Sequence, residues 1–173
     1  VEAHLADPAA IVRQAAFSAL HRLGACTADH VRAATADPAP RVRARASELA
    51  VHIDGVTPAA LLDDQDSSVV EVACFACGEV SWPPGTAPIT QLSVIATSHD
   101  DALCRESAAA ALGAIGDPAG LDAVLLACTD RVTVRRRATL ALAAFDDPRA
   151  DKVLHAALDD KDWQVRQAAE DLL

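Results

Sequence analysis

Asp7-Pro8-Ala9-Ala10-Ile11-Val12-Arg13 and Asp37-Pro38-Ala39-Pro40-Arg41-Val42-Arg43 are one phrase written twice, thirty residues apart. Each begins with an acid able to cap free helix amides and a proline that the first helical turn tolerates, and each ends on Val-Arg. The Val-Arg anchor with small residues behind it recurs as Val12-Arg13, Val42-Arg43, Val70-Glu71, Cys104-Arg105, Val134-Arg135 and Val165-Arg166, at intervals of 30, 28, 34, 30 and 31 residues. Six occurrences at near-constant spacing are an internal repeat, the signature of stacked supersecondary units.

Behind each anchor the apolar positions fall near +3, +4, +7 and +8, as in Val12, Ala15, Ala16, Ala19 and Leu20. That spacing is a helical stripe with small residues at its centre. A shorter partner helix fits before the next anchor, started at Thr57-Pro58, Asp117-Pro118 and Asp147-Pro148, while Gly24, Gly55 and Gly116 supply left-handed helix ends. Helices of about 10 to 16 residues are marginal alone in water, so their stability must come from stacking on the neighbouring pair.

Composition agrees. Hydrophobic residues are 51% of the chain but aromatics only 3%, with alanine prevailing, which favours closely packed helices over strands. A net charge of −10 and a pI near 4.8 repel phosphate backbones, against general nucleic-acid binding. Two lysines against thirteen arginines point to a GC-rich, bacterial source. No apolar run reaches 18 residues, against a membrane span, and five sparse cysteines fit a reducing cytoplasm.

The Asp-x-x-x-x-Val-Arg-x-x-Ala phrase with its Ala-rich second helix resembles HEAT repeats, in particular the short bacterial HEAT-like repeats of phycobiliprotein lyases. The resemblance implies an all-α, right-handed α-α superhelix (a HEAT-repeat solenoid) of about six helical hairpins, the terminal ones incomplete. Residues 1–173 are expected to form a single solenoid domain, with an irregular Pro-rich loop at 81–88 between its two halves. Glu71 stands where Arg is expected and Gly78 where Leu is expected, just before that loop. Within the family the recurring arginines form an inter-repeat ladder with loop acids. Here that implies Arg13, Arg43, Arg105, Arg135 and Arg166, with Asp7, Asp37, Asp100, Asp130 and Asp160 preceding them.

The same fold carries scaffolds, chromophore lyases, an iron-dependent hydroxylase and DNA glycosylases. The hydroxylase motif is a paired His-Glu, and no His-Glu dipeptide occurs among His4, His21, His30, His52, His99 and His155. Cys74 and Cys77 have CxxC spacing, but they sit in a helical stripe without a second CxxC, so small buried hydrophobes are expected, with no metal and no cofactor. No nucleophile elbow, phosphate loop or ordered triad is present, and the chain is read as non-enzymatic.

A protein-protein interaction scaffold remains, since second helices of HEAT units line the concave face. Positions +2, +5, +6 and +9 are expected there, giving Gln14, Phe17, Ser18, His21, Glu48, Phe75 and Glu79 as partner-binding residues. Trp82 in the Pro-rich loop is the expected hot spot if it is exposed. Arg131, Arg135, Arg136 and Arg137 form a basic cluster, read as balancing Asp130, Asp146 and Asp147. The expected partner is a protein or peptide, with no nucleic acid and no membrane, and Leu172-Leu173 gives the terminal repeats a route to self-association. The alternatives are a lyase-like protein holding a chromophore in the groove, against which the lack of aromatics counts, and a HEAT-like DNA glycosylase, against which the acidic charge counts.

Overall fold

Thr57, Asp117 and Asp147 cap the helical turns they precede, each with a proline in the first turn, whereas Asp7 and Asp37 do not cap as expected: the N-cap positions there are Ala9 and Ala39, without a side-chain cap bond. The computed structural model describes all residues, 1–173, in two compact units, Val1–Cys77 and Gly78–Leu173. The chain is all-helical with no strand, consistent with an α-solenoid.

In the first unit a 3₁₀ turn, Glu2–Ala6, precedes α1 (Ala10–Arg22), and α2 (Ala28–Thr35) precedes α3 (Pro40–Ala50). A second 3₁₀ turn, Pro58–Leu61, leads to α4 (Ser67–Glu79), whose last two residues belong to the second unit. Thr27 caps α2 through a capping box with His30, the side chain taking the His30 N–H while the Thr27 N–H donates to His30 Nδ1.

The second unit holds three hairpins. These are α5 (Ile89–Ser98) with α6 (Ala102–Ile115), α7 (Leu121–Ala127) with α8 (Val132–Ala141), and α9 (Pro148–Ala157) with α10 (Trp163–Glu170). Asp101, Asp147 and Asp162 cap α6, α9 and α10 through their carboxylates. Gly116 closes α6 with a left-handed φ of 68°, and its N–H donates to the Leu112 carbonyl. Residues 81–88 are irregular, with a tight turn in which the Thr86 N–H and hydroxyl both donate to the Pro83 carbonyl.

Burial fixes the register of each second helix. In α3 the buried positions are Val42, Ala46, Ser47, Leu49 and Ala50, and in α6 they are Cys104, Ala108, Ala109, Ala111 and Leu112. Counted from the anchor, both read 0, +4, +5, +7 and +8. In α4 the buried set is Val69, Val70, Ala73, Cys74, Ala76 and Cys77, which gives the same offsets only from Val69. The anchor of the third repeat is therefore Val69, one residue earlier than the Val70-Glu71 reading. Val70, buried, takes the arginine position, Glu71 sits at +2, and Gly78 sits at +9 rather than in the Leu position.

Small residues set the helix spacing in the second unit. A Cβ built on Gly113 would lie 2.5 Å from the Ala141 Cβ and 2.8 Å from its Cα, so α6 and α8 touch backbone to backbone there.

Candidate functional site

The register arginines share one geometry. Arg43 donates from Nη1 to the Asp37 carbonyl at 2.8 Å, and from Nε and Nη2 to the two carboxylate oxygens of Asp64 at 2.7 and 2.8 Å. Arg13 repeats this with the Asp7 carbonyl and the Asp37 carboxylate, as Arg135 does with the Asp130 carbonyl and the Asp160 carboxylate. Arg105 pairs with Asp130, its Nη1 on the His99 carbonyl. Each arginine thus takes a backbone carbonyl from its own loop and a carboxylate from the next one, 21 to 25 residues on. Two parallel charge-assisted bonds per pair fix both angle and distance.

Each loop acid has a second bond. Asp37 accepts the Ala39 N–H, Asp64 the Asp66 N–H and Asp160 the Asp162 N–H. The guanidiniums of Arg13, Arg43, Arg105 and Arg135 hold Asp37, Asp64, Asp130 and Asp160 below the usual carboxylate range. Sequence reasoning missed Asp64, although it precedes Val69 by the same five residues that separate Asp37 from Val42. Asp100 has no carboxylate role in the ladder. His99 stands in the acid's place, and its Nδ1 accepts the Asp101 N–H.

The residues expected to bind a partner do not share one environment. Phe17 is a correction: it is 1% exposed, because +5 is a core position, as with Ser47, Ala109 and Thr139. Gln14 and His21 are half-buried, and the His21 ring stacks on His52 with centroids 5.4 Å apart. Glu48 is exposed and paired with Arg45, which also donates to Ser18. Glu79 is exposed, and Trp82 is half-buried, so the condition set on it as a hot spot is not met; the exposed tryptophan is Trp163.

Phe75 is 63% exposed. Counted from Val69 it occupies +6, an outward position shared with Ser18, Glu48 and Leu140, the last of these 40% exposed. In the second unit Leu140 and Arg137 border a shallow trough of about 390 Å³ between α6 and α8, floored by Ala110, Gly113, Ala114 and Ala141. Glu106 approaches Arg137 at 3.7 Å.

Cys74, Cys77 and Cys104 are buried, and burial pushes the Cys77 thiol up to about 12. No group of three His, Cys, Asp or Glu side chains is placed to hold a metal ion. No helix is long and apolar enough to cross a membrane.

Hairpins stacked in register through an arginine ladder define the class: a helical-repeat protein. Residues 89–173, just under half of the chain, match the family model of HEAT repeats, which supports a HEAT-repeat family for the stack. No curated protein matches the chain.

Proposed function

We propose that the chain is a non-catalytic protein-interaction scaffold that receives a partner protein or peptide on the outward faces of its second helices. HEAT repeats generally mediate protein–protein interaction. The observation that carries the reading is Phe75, an aromatic ring held outward on a helix whose other face is closed by packing. Such a ring has only two side-chain torsions to fix, so covering it gains apolar burial at little cost in rotamer freedom. In the second unit Leu140 plays the same part, bordered by Arg137 and Glu106 as a polar rim.

The titratable groups favour binding over chemistry. The depressed carboxylates Asp37, Asp64, Asp130, Asp147 and Asp160 each accept from an arginine, which holds their charge in a fixed bond instead of leaving it to exchange protons. Five sparse cysteines, three of them buried within helices, suit a reducing cytoplasm.

The test is a photo-crosslinking amino acid placed at position 75 or 140 and irradiated in lysate of the source organism. The reading expects one discrete protein adduct that unlabelled wild-type chain competes away. Adducts that no competitor reduces would overturn it.

A further inference from the structure

We infer that His21 and His52 form a two-histidine site for a divalent transition-metal ion of the nickel or zinc kind, on the surface of the first unit. The rings come from neighbouring repeats, His21 in the last turn of α1 and His52 two residues beyond the end of α3. Their centroids lie 5.4 Å apart and their planes are inclined at 28°. Two imidazoles on one tetrahedral ion, with metal–nitrogen bonds of about 2.0–2.1 Å, place their centroids roughly 5 Å apart. The separation is therefore the one a shared ion needs, and rotation of each ring about its own side-chain torsions turns one nitrogen of each towards it.

The scaffold holds the pair and its surroundings suit a cation. Arg45 on α3 donates from Nε to Ser18 Oγ at 3.0 Å, tying α3 to α1 one turn before His21. The backbone that carries the rings is fixed too: the His52 N–H donates to the Leu49 carbonyl, and the His21 carbonyl accepts the Gly24 N–H. Both rings stand where a helix ends, so the carbonyl ends of two helix dipoles favour positive charge between them. Arg22 is exposed, and one residue of helix turns it about 100° away from His21. Imidazole suits nickel, copper and zinc, whereas magnesium and calcium prefer oxygen ligands. His52 is exposed and His21 half-buried, so an ion reaches them from solvent. Glu48, one turn before His52, is taken by Arg45, and no third His, Cys, Asp or Glu completes the set. The remaining positions fall to water, as in an open site and unlike a closed structural one.

Calorimetric titration of the full chain with nickel chloride, in buffer containing excess magnesium, tests this. Wild type is expected to take up one nickel ion per chain, and nickel should raise its melting temperature, because only the folded chain brings the two rings together. His21→Ala and His52→Ala should each bind at least about tenfold more weakly, since the second bond of a chelate forms at high effective concentration. Neither should gain melting temperature from nickel. His155→Ala, Cys26→Ser and Cys128→Ser should bind as wild type does, which separates the pair from a lone histidine and from the thiols. Circular dichroism would establish that the variants are folded. The absence of saturable binding, binding untouched by either His21→Ala or His52→Ala, or binding lost in a cysteine variant would each overturn the inference.

Discussion

Arg43 and Asp64 stand 21 residues apart in sequence and meet through two bonds of 2.7 and 2.8 Å, while the same carboxylate receives the Asp66 N–H. One acid therefore joins two successive repeats and closes its own loop. Removing it leaves a half-buried guanidinium and a loop amide short of acceptors. Asp64→Ala is expected to lower unfolding free energy by roughly 2 kcal/mol, below the cost of a fully buried broken pair because solvent reaches this one. Urea denaturation measures it, and Asp64→Asn should lose less.

Acid should undo the ladder in one direction only. Asp37, Asp64, Asp130 and Asp160 are held below the ordinary carboxylate value by guanidinium bonds. A depressed folded value means that the unfolded chain binds protons first. The stabilisation is then complete above about pH 4 and is lost as pH falls through the depressed values. Melting temperature should be flat near neutrality and fall below about pH 4, with a shallower acid limb in Arg43→Ala.

Gly113→Ala sets two helix effects against each other. Alanine gains up to about 1 kcal/mol of helix propensity, but its Cβ would meet the Ala141 backbone, and overpacking costs about 1–3 kcal/mol. The clash wins because a backbone atom cannot rotate away. A net loss of about 1 kcal/mol is expected by thermal or urea unfolding.

Thiol chemistry should follow burial. Cys74, Cys77 and Cys104 are buried, and desolvation pushes Cys77 up to about 12, so they should resist iodoacetamide until the chain unfolds. Cys26 and Cys128 are half-exposed, and burial pushes Cys128 up to about 11, so its labelling should be slow. Mass spectrometry of native and urea-treated protein reads both sets.

Phe17 and Phe75 each lie five residues beyond a valine that sequence alone offers as anchor, Val12 and Val70, yet one is 1% and the other 63% exposed. Phe17→Ala should cost about 3–5 kcal/mol as a core truncation, and Phe75→Ala no more than about 0.5 kcal/mol.

The contrast between those two residues shows where sequence reading stops. Helical class, loop starts and glycine ends follow from local rules, and Gly24, Gly55 and Gly116 all adopt the positive φ expected of them. The third repeat offers two adjacent valines, and periodicity alone does not choose between them. Shifting the anchor by one residue turns a helix by about 100°, so Phe75, expected outward at +5, is outward because it stands at +6, while +5 itself is a core position. The distance from Asp64 to Val69 would have chosen correctly. The ladder arginines were legible as a column, but Arg13 reaching Asp37 instead of the Asp7 carboxylate depends on how one repeat sits on the next. Trp82 illustrates a further limit, since a Pro-rich loop does not reveal whether its side chains face water.

The most direct test of the account is quantitative capture of partners from source lysate by wild type and by Phe75→Ala, at matched stability. The account predicts that the variant remains folded and retains its partner at least about tenfold more weakly. A partner set bound equally well by both proteins would contradict it.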